Sequence, residues 1–332
     1  MSRIRIGLDA MGGDYAPVEA IKGAFMAASL PEFANVDIVL LGEQKLIEES
    51  LSAQGITHNF EIIDAPDTIS MSEHPTKAVS AKRNSSIMVG LKMLAEGKLD
   101  GFASAGNTGA MMVGSLYTVR TIEGILRPAI STILPRPSGN HGVMLDAGAN
   151  ADVKPDMLVQ FANIGSIYAN SIMGIEKPRV GLLNIGEEKE KGNILTQATY
   201  PLLEDNRFID FIGNIEGRDL FTDKADVVVC DGFTGNIVLK ACEGMFYQLM
   251  KRGVKDDYLS QFNFENYGGS PILGVNKPVI IGHGISKAKT FVNMIKLTQD
   301  VITSNLIDSI KAQLSQSYRI KFKLTRSVLL LK

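Results

Sequence analysis

Residues 99–110, "LDGFASAGNTGA", contain the pattern that decides the fold: a short apolar run, a turn of Gly, Asn and Thr, and the start of a helical pattern. Strands that alternate with helices, and that read as continuous apolar runs, are typical of a mostly parallel sheet covered on both faces. The sequence therefore predicts a doubly wound α/β fold, an α/β/α sandwich. The same order of apolar run, Gly-containing turn and helix returns at residues 4–14, 142–150, 179–188, 226–236 and 278–286.

The turns of such a sheet are expected to form one site, because the carboxyl ends of parallel strands meet at one edge and ligands bind there. No low-complexity linker divides the chain, so we expect a single catalytic domain over residues 1–315. Residues 243–262 are predicted to be a surface helical insertion, either an ordinary amphipathic helix or a partner or membrane contact. Residues 316–332 form a tail that is basic and then apolar.

The composition excludes several classes of protein. Of the 332 residues, 45% are hydrophobic and 21% charged, and the net charge is -2, which argues against a disordered or nucleic-acid-coating protein. The two cysteines form no CxxC motif, and there are only four histidines. We therefore expect neither a disulfide framework nor a metal site, and a reducing, cytoplasmic setting. No apolar window is long enough to predict a membrane span.

The Gly-containing turns indicate a site for phosphate or for a developing oxyanion. Glycine lets backbone N–H groups approach a ligand closely, and the helix that follows favours an anion at its N-terminus. The alternative is a tight turn that needs glycine for its backbone conformation. The chain has no GxxxxGK[ST], no complete GxGxxG and no GxSxG, which argues against a P-loop ATPase, a dinucleotide enzyme and a serine hydrolase. No cofactor is expected.

Two turns supply most of the candidate residues. In "SAGNTGA", Asn107 is a candidate catalytic donor, and Thr108 with the backbone of Gly106 and Gly109 would bind phosphate or the substrate; a helix N-cap is the alternative. In "CDGFTGN", Asp231 is a candidate base or orienting group, although an Asp at a strand end is often only a turn former. The other candidates in and after this turn are Asn236 as a catalytic donor and Thr234, Gly235 and Lys240 as binding residues.

The remaining candidates follow other strands. His283 is a candidate general acid, with a structural role as the alternative. Asn184 at the end of its strand is a candidate donor. Cys230 is expected to be buried and structural rather than nucleophilic. The first strand leads into Asp9, Gly12 and Gly13, where we expect the carboxylate to orient other groups rather than to contact phosphate.

The ordered motifs resemble the bacterial phosphate acyltransferase (PlsX) family of phospholipid synthesis. The motifs that carry the resemblance are "LDAMGGDYAP", "SAGNTGA", "LDAGAN", "NIGEEKEKGN", "DGFTGN" and "NYGG", in this order from residue 4 to 314. The resemblance implies an architecture like that of isocitrate/isopropylmalate dehydrogenases. It implies transfer of a long acyl chain from acyl carrier protein to inorganic phosphate, a homodimer, peripheral membrane association and hand-off of the product to a glycerol-phosphate acyltransferase.

The mechanism that follows needs no nucleophile from the protein. Inorganic phosphate is itself an oxyanion, so the protein has only to position it against the thioester and to stabilise the tetrahedral oxyanion. Two other functions stay open: an NAD-dependent decarboxylating dehydrogenase on the same architecture, and a non-enzymatic scaffold for carrier protein or membrane. Carrier proteins are acidic, so we expect a basic rim. The candidates for it are Lys77, Lys82, Arg83, Arg120, Arg127 and Arg136.

Overall fold

The structure, a computed structural model, describes residues 3–316. Strands and helices alternate along most of this length. The strands are β1 (Ile4–Asp9), β2 (Val36–Gly42), β3 (Glu61–Asp64), β4 (Gly101–Ser104), β5 (Ala129–Pro135), β6 (His141–Leu145), β7 (Arg179–Leu183), β8 (Asp210–Ile215), β9 (Val227–Val229), β10 (Ser270–Leu273) and β11 (Val279–Ile281). The helices are α1 (Val18–Ala28), α2 (Gln44–Ala53), α3 (Pro75–Ala81), α4 (Ser86–Ala95), α5 (Thr108–Gly114), α6 (Pro155–Ser171), α7 (Ile194–Glu204), α8 (Gly232–Lys251), α9 (Asp257–Ser260) and α10 (Ala288–Thr303); residues 306–316 are also helical.

One sheet of eleven strands, in the order β3-β2-β1-β4-β11-β10-β5-β6-β9-β7-β8, runs through the molecule. The five strands from β3 to β11 are parallel, and so are the four from β6 to β8. Helices cover both faces. The predicted α/β fold with a large, mostly parallel sheet is therefore confirmed.

The two parallel blocks of the sheet run in opposite directions. Strand β10 is antiparallel to both β11 and β5, and β5 is antiparallel to β6, so the direction reverses three times between the blocks. The carboxyl ends of β1, β4 and β11 therefore lie at one edge, and those of β6, β7 and β9 at the other. The prediction that all six turns gather at one edge is wrong, because apolar runs do not encode the antiparallel pairing of β5 and β10.

Apolar side chains hold the helices to both faces of the sheet. On one face, Ile6 and Leu8 of β1 belong to the same buried cluster as Phe291 of α10. On the other face, Phe102 of β4 clusters with α4 and α5, and Leu239 of α8 packs against that cluster. The strands are thus buried from both sides, as their continuous apolar runs predicted.

The segment 243–262 differs from the predicted insertion. Residues 243–251 are the second half of α8, which begins at the turn after β9, and a short turn at α9 follows. Residues 317–332, and with them nearly all of the predicted tail, lie outside the described residues. Among the helices that the structure describes, none has the length and apolarity needed to cross a membrane.

Candidate active site

The turns after β1, β4 and β11 pack against one another. The backbone N–H of Asp14 donates to the carbonyl of Gly284 over 2.7 Å, which ties the first turn to the last. A Cβ on Gly12 would lie 2.7 Å from the backbone nitrogen of Gly106 and 3.0 Å from the Oγ of Ser104, so only glycine fits this position. The three turns of the first block thus form one compact group.

Asp9 lies beneath this group and is almost fully buried. Its Oδ2 accepts a hydrogen bond of 2.6 Å from the Oγ of Ser104, and its Oδ1 accepts one of 3.0 Å from the backbone of Met11. Burial raises the pKa of the Asp9 carboxyl, while the hydrogen bonds from Ser104, Ser86 and the backbone oppose that shift. Asp9 therefore braces the turns from below, and its orienting role in a reaction stays a prediction.

Both the oxygen and the nitrogen of the Asn107 side chain bond to backbone groups of the protein. Its Oδ1 accepts from the backbone of Ala110 over 2.9 Å and so caps α5. Its Nδ2 lies 3.0–3.2 Å from the carbonyl oxygens of Ser70, Met71 and Glu73. Both donors of the amide are used, so the N-cap alternative describes Asn107 and a direct contact with substrate does not.

Some backbone N–H groups of this turn bond within the protein, and others could donate to a ligand. The sequence predicted that the backbone N–H of Gly106 binds a ligand. In the structure this N–H donates to the Oγ of Ser104 over 3.0 Å and is therefore already used. Thr108 is exposed and is the first residue of α5. The first N–H groups of a helix have no acceptor within it, which leaves those of Thr108 and Gly109 as the donors of this turn.

The turns after β6 and β9 form a second group, centred on Asp146. This buried carboxylate accepts hydrogen bonds from the backbone of Gly148, Ala149 and Asn150 at 2.7–3.2 Å. Burial raises the pKa of Asp146, and these bonds oppose the rise. A Cβ at Gly235 would collide with the carbonyl oxygen of Asp146, so α8 lies directly on this turn.

Asp231 and Thr234 interact with each other. The Oδ1 of Asp231 accepts from the backbone of Thr234, and its Oδ2 accepts from the Thr234 hydroxyl, each over 2.8 Å. Asp231 is the N-cap of α8. In the structure this pair therefore caps a helix. This is similar to the alternative given for Asp231 from the sequence, a turn former at the end of a strand.

Asn184 closes its own turn. Its Nδ2 donates to the carbonyl of Lys191 over 3.0 Å, and its Oδ1 accepts from the backbone of Ile185 over 2.9 Å. The turn after β7 is braced further by Asn214, whose Nδ2 donates to the carbonyl of Glu188. Asn184 is not among the residues that line the cleft described next.

A cleft of about 380 Å³ brings the two groups of turns together. It lies over β5, between α8 on one side and the turns after β4 and β11 on the other. Thr108 and His283 reach it from the first block, and Asn236 and Lys240 reach it from α8. Four predicted residues thus line one cleft although their strands end at opposite edges, because α8 starts at the turn after β9 and extends along the sheet towards the first block.

Charges surround the imidazole of His283. Burial lowers its pKa, the nearby Lys240 lowers it further, and Glu243 and Asp14 act in the opposite direction. The Nζ of Lys240 lies 2.7 Å from the Oε2 of Glu243 on the same helix. The polar end of the cleft therefore holds a cation, a carboxylate and a histidine whose protonation depends on both.

The rest of the cleft lining is largely apolar. It comes from β5, β6, α8 and the aromatic residues near α9. The apolar residues of the lining include Ile130, Leu134, Met144, Phe221, Val238 and Phe262. A cleft that combines a polar group with an apolar wall suits a substrate that has a reacting head and a hydrocarbon tail.

Neither cysteine is placed as a nucleophile. Cys230 is buried, and its thiol lies 3.7 Å from the carbonyl oxygen of Asp146. Burial raises the pKa of the Cys230 thiol far above its usual range, and burial with Glu243 raises that of Cys242. Thiolates, not thiols, attack, so the structural role expected of Cys230 fits its surroundings.

One member of the predicted basic rim is not at the surface. Arg136 is 3% exposed, and its guanidinium donates to Asp226 and to the carbonyl of Ala225. The prediction that Arg136 belongs to a basic rim is therefore wrong, because its guanidinium forms a buried ion pair with Asp226. Lys82 bonds to Glu73 over 2.7 Å, and Lys77, Arg83, Arg120 and Arg127 are exposed.

Three residues that shape the site were not predicted from the sequence. Asp146 occupies in the second block the position that Asp9 occupies in the first, and the shared "LDA" of residues 8–10 and 145–147 was the available signal. Ser104 and Glu243 gave no such signal, because their roles depend on contacts with residues distant in sequence or on another helix turn.

The chain matches a known protein family over nearly its whole length. The model of the fatty acid synthesis protein family matches residues 4–309. The chain is similar to the phosphate acyltransferase of Desulfitobacterium hafniense (strain DSM 10664 / DCB-2), with 44% identity over 332 residues that cover 94% of this chain and 98% of that protein. It is also similar to the phosphate acyltransferase of Desulforamulus reducens, with 42% identity over 329 residues that cover 94% of this chain and 97% of that protein.

A solved structure shares the fold. A phosphotransacetylase from Streptococcus pyogenes superposes with a TM-score of 0.62 and covers 92% of this chain and 94% of its own. Its sequence identity to this chain is 17%, so the likeness shows the fold alone.

Proposed function

This chain belongs to the fatty acid synthesis protein family and, within it, is a relative of the phosphate acyltransferases; from that premise we propose that it transfers a long-chain acyl group from acyl carrier protein to inorganic phosphate. The product is an acyl phosphate, the activated acyl donor for membrane phospholipid synthesis. The observation that carries the proposal is the cleft, which Thr108, Asn236, Lys240 and His283 line together with apolar residues.

The reaction is a direct displacement at the thioester carbon. A phosphate oxygen attacks the carbonyl, a carbon–oxygen bond forms, and the tetrahedral oxyanion then expels the carrier thiolate as the carbon–sulfur bond breaks. A proton transferred to the sulfur gives free carrier thiol. Phosphate enters already ionised, so the protein has three tasks: to position it, to stabilise the oxyanion and to deliver a proton to the leaving sulfur.

Each residue of the polar end has a task in this scheme. The ammonium of Lys240 offsets the charge of bound phosphate, and Glu243, 2.7 Å from it, holds the ammonium over the cleft. Asn236 and the N-terminus of α5 at Thr108 donate hydrogen bonds to phosphate or to the oxyanion. His283 supplies the proton for the leaving sulfur.

The capping residues act through the backbone. Asn107 fixes the loop 70–73 and the start of α5, and Asp231 fixes the start of α8 through Thr234. Asp9 and Asp146 hold the turns that lie over them. We assign these residues positioning roles, and Asn184, outside the cleft lining, takes no part in the scheme.

The proposal extends to the setting of the enzyme. We propose a cytoplasmic homodimer with peripheral membrane contact, which passes its product to a glycerol-phosphate acyltransferase. Exposed apolar residues of α8 support a further surface contact, since Phe233, Ile237, Met245 and Tyr247 are each more than half exposed. Kinship with the isocitrate/isopropylmalate dehydrogenase architecture belongs to the same proposal.

Phosphate-dependent release of carrier thiol tests the function. Purified protein is mixed with palmitoyl-acyl carrier protein, and free thiol and acyl phosphate are measured with and without inorganic phosphate. We expect both products to appear together, in equal amounts, and only when phosphate is present. Thiol release that is independent of phosphate would identify a thioesterase instead, and no release would refute the assignment.

A further inference from the structure

A second cavity of about 770 Å³ adjoins the cleft of about 380 Å³ on the other face of the sheet. Ile133, Tyr267 and Gly269 line both spaces, so the two meet at the point where β5 ends and β10 begins. Tyr267 comes from the "NYGG" motif, to which the catalytic scheme gives no task.

The backbone around Tyr267 is held closely on both sides. Gly268 has a φ of +77° and packs directly against the backbone of Asn293 and Met294, and Gly269 has a φ of +146° and packs against the carbonyl of Ile281. Each conformation is one that glycine adopts easily, and a Cβ at either position would collide with backbone. The position of Tyr267 is thus set by the fold around α10 and β11.

The side chain of Tyr267 is anchored as well. Its hydroxyl lies 3.1 Å from the Nε2 of His141, and the two rings meet edge to face with centroids 5.2 Å apart. Burial raises the pKa of Tyr267 to about 12, so the hydroxyl is protonated at neutral pH. The hydrogen bond and the ring contact with His141, at the start of β6, hold the Tyr267 ring between the two spaces.

The two spaces differ in chemistry. The cleft is lined near Tyr267 by Leu134 and Phe262, which suit a hydrocarbon chain. The second cavity contains the ion pair of Arg136 and Asp226, whose side chains are 4% and 7% exposed. Tyr267 therefore stands in the wall that separates the apolar lining of the cleft from the second cavity.

We propose that Tyr267 forms the end of the acyl-binding part of the cleft and so limits the length of the acyl chain that the enzyme accepts. The proposal rests on the proposed function, because it assigns the apolar wall to the acyl tail of that substrate. A chain one methylene too long meets the ring, and one methylene in an apolar pocket changes kcat/KM by about 10-fold or more. Removing the ring joins the two spaces and admits longer chains.

The test is a chain-length profile. kcat/KM is measured by release of carrier thiol for a series of saturated acyl-acyl carrier proteins of increasing length, with wild type and Tyr267→Ala. We expect the ratio of kcat/KM for the first rejected length to that for the longest accepted length to rise about 10-fold or more in Tyr267→Ala. Tyr267→Phe keeps the ring and should keep the wild-type profile.

Two controls make the outcome decisive. Tyr117 is 72% exposed and lines neither space, so Tyr117→Ala removes an aromatic ring without changing the profile. If Tyr267→Ala does not fold, Tyr267→Trp tests the same boundary from the other direction and should shift the limit to shorter chains. An unchanged profile in a folded, active Tyr267→Ala or Tyr267→Trp overturns this inference alone, whereas inactivity of the wild type with every length overturns the proposed function.

Discussion

The ammonium of Lys240 lies 2.7 Å from the carboxylate of Glu243, and the two charges act on the imidazole of His283 in opposite senses. Lysine disfavours the protonated imidazole and glutamate favours it. In the proposed reaction, this pair on α8 sets both the charge that faces phosphate and the protonation of the histidine that serves the leaving sulfur.

Neutralising either partner should move the pKa of His283 in a predictable direction. Lys240→Ala removes a nearby positive charge and should raise the pKa towards its ordinary value of 6.5, whereas Glu243→Gln should lower it further. Imidazole titration by NMR measures both, and the chain's four histidines make the signal identifiable by its loss in His283→Gln. Equal pKa values in both variants would show that the pair does not act on His283.

Asn236→Ala should impair catalysis without impairing folding. The side chain is exposed in the cleft on the second turn of α8, and the loss of one well-placed oxyanion donor costs about 100-fold or more in kcat. Steady-state kinetics of acyl phosphate formation checks this. Gln248→Ala on the exposed face of the same helix is the control and should keep wild-type turnover; if Asn236→Ala does the same, Asn236 is no donor.

Two glycines of α8 should respond to alanine with opposite signs. A Cβ at Gly235 collides with the carbonyl of Asp146, and such overpacking costs about 1–3 kcal/mol of unfolding free energy. A Cβ at Gly244 would point into open space, so Gly244→Ala should stabilise the helix by up to about 1 kcal/mol. Urea unfolding gives both values, and a Gly235→Ala variant as stable as wild type would show that α8 does not lie on this turn.

The buried ion pair predicts a stability that depends on acid pH. Burial acts to raise the pKa of Asp226, but hydrogen bonds from Arg179 and Arg136 outweigh it, and the pKa lies below the ordinary 3.8. The stabilisation is therefore complete above pH 3.8 and is lost as the pH falls through the lower pKa of the folded state.

Asp226→Asn should cost about 3–5 kcal/mol, because it leaves the buried Arg136 without its carboxylate. Asp210→Asn breaks the exposed pair with Lys177 and should cost about 1 kcal/mol or less. Urea unfolding at several pH values compares the two. A loss for Asp226→Asn no larger than that for Asp210→Asn would contradict this account of the pair.

The sequence predicted the fold class because apolar runs and Gly-containing turns are local signals. Strand direction is not local: nothing in "AISTILP" at β5 or "SPIL" at β10 shows that these strands pair in the antiparallel sense. The turns after β6, β7 and β9 were therefore predicted at the same edge as those after β1, β4 and β11, although they lie at the opposite edge. Helix α8 nevertheless brings residues of the two blocks into one cleft.

The site residues were predicted unevenly for a similar reason. The cleft is lined by four predicted residues that lie in or next to the predicted turns: Thr108, Asn236, Lys240 and His283. Asn107 and Asp231 also follow strands but cap helices, since each accepts a hydrogen bond from a backbone N–H three residues later in the chain. Residue type and position thus identify the turns, while tertiary contacts decide which side chain faces a ligand.

The central claim is that phosphate, and no group of the protein, attacks the acyl carbon. The most direct test incubates the protein with acyl-labelled carrier protein in the absence of phosphate, and examines the denatured chain by mass spectrometry. The account predicts no acylated protein, and predicts labelled acyl phosphate once phosphate is added, in wild type and in the variant Cys230→Ser with Cys242→Ser. An acyl adduct that forms without phosphate and disappears when phosphate is added would contradict it.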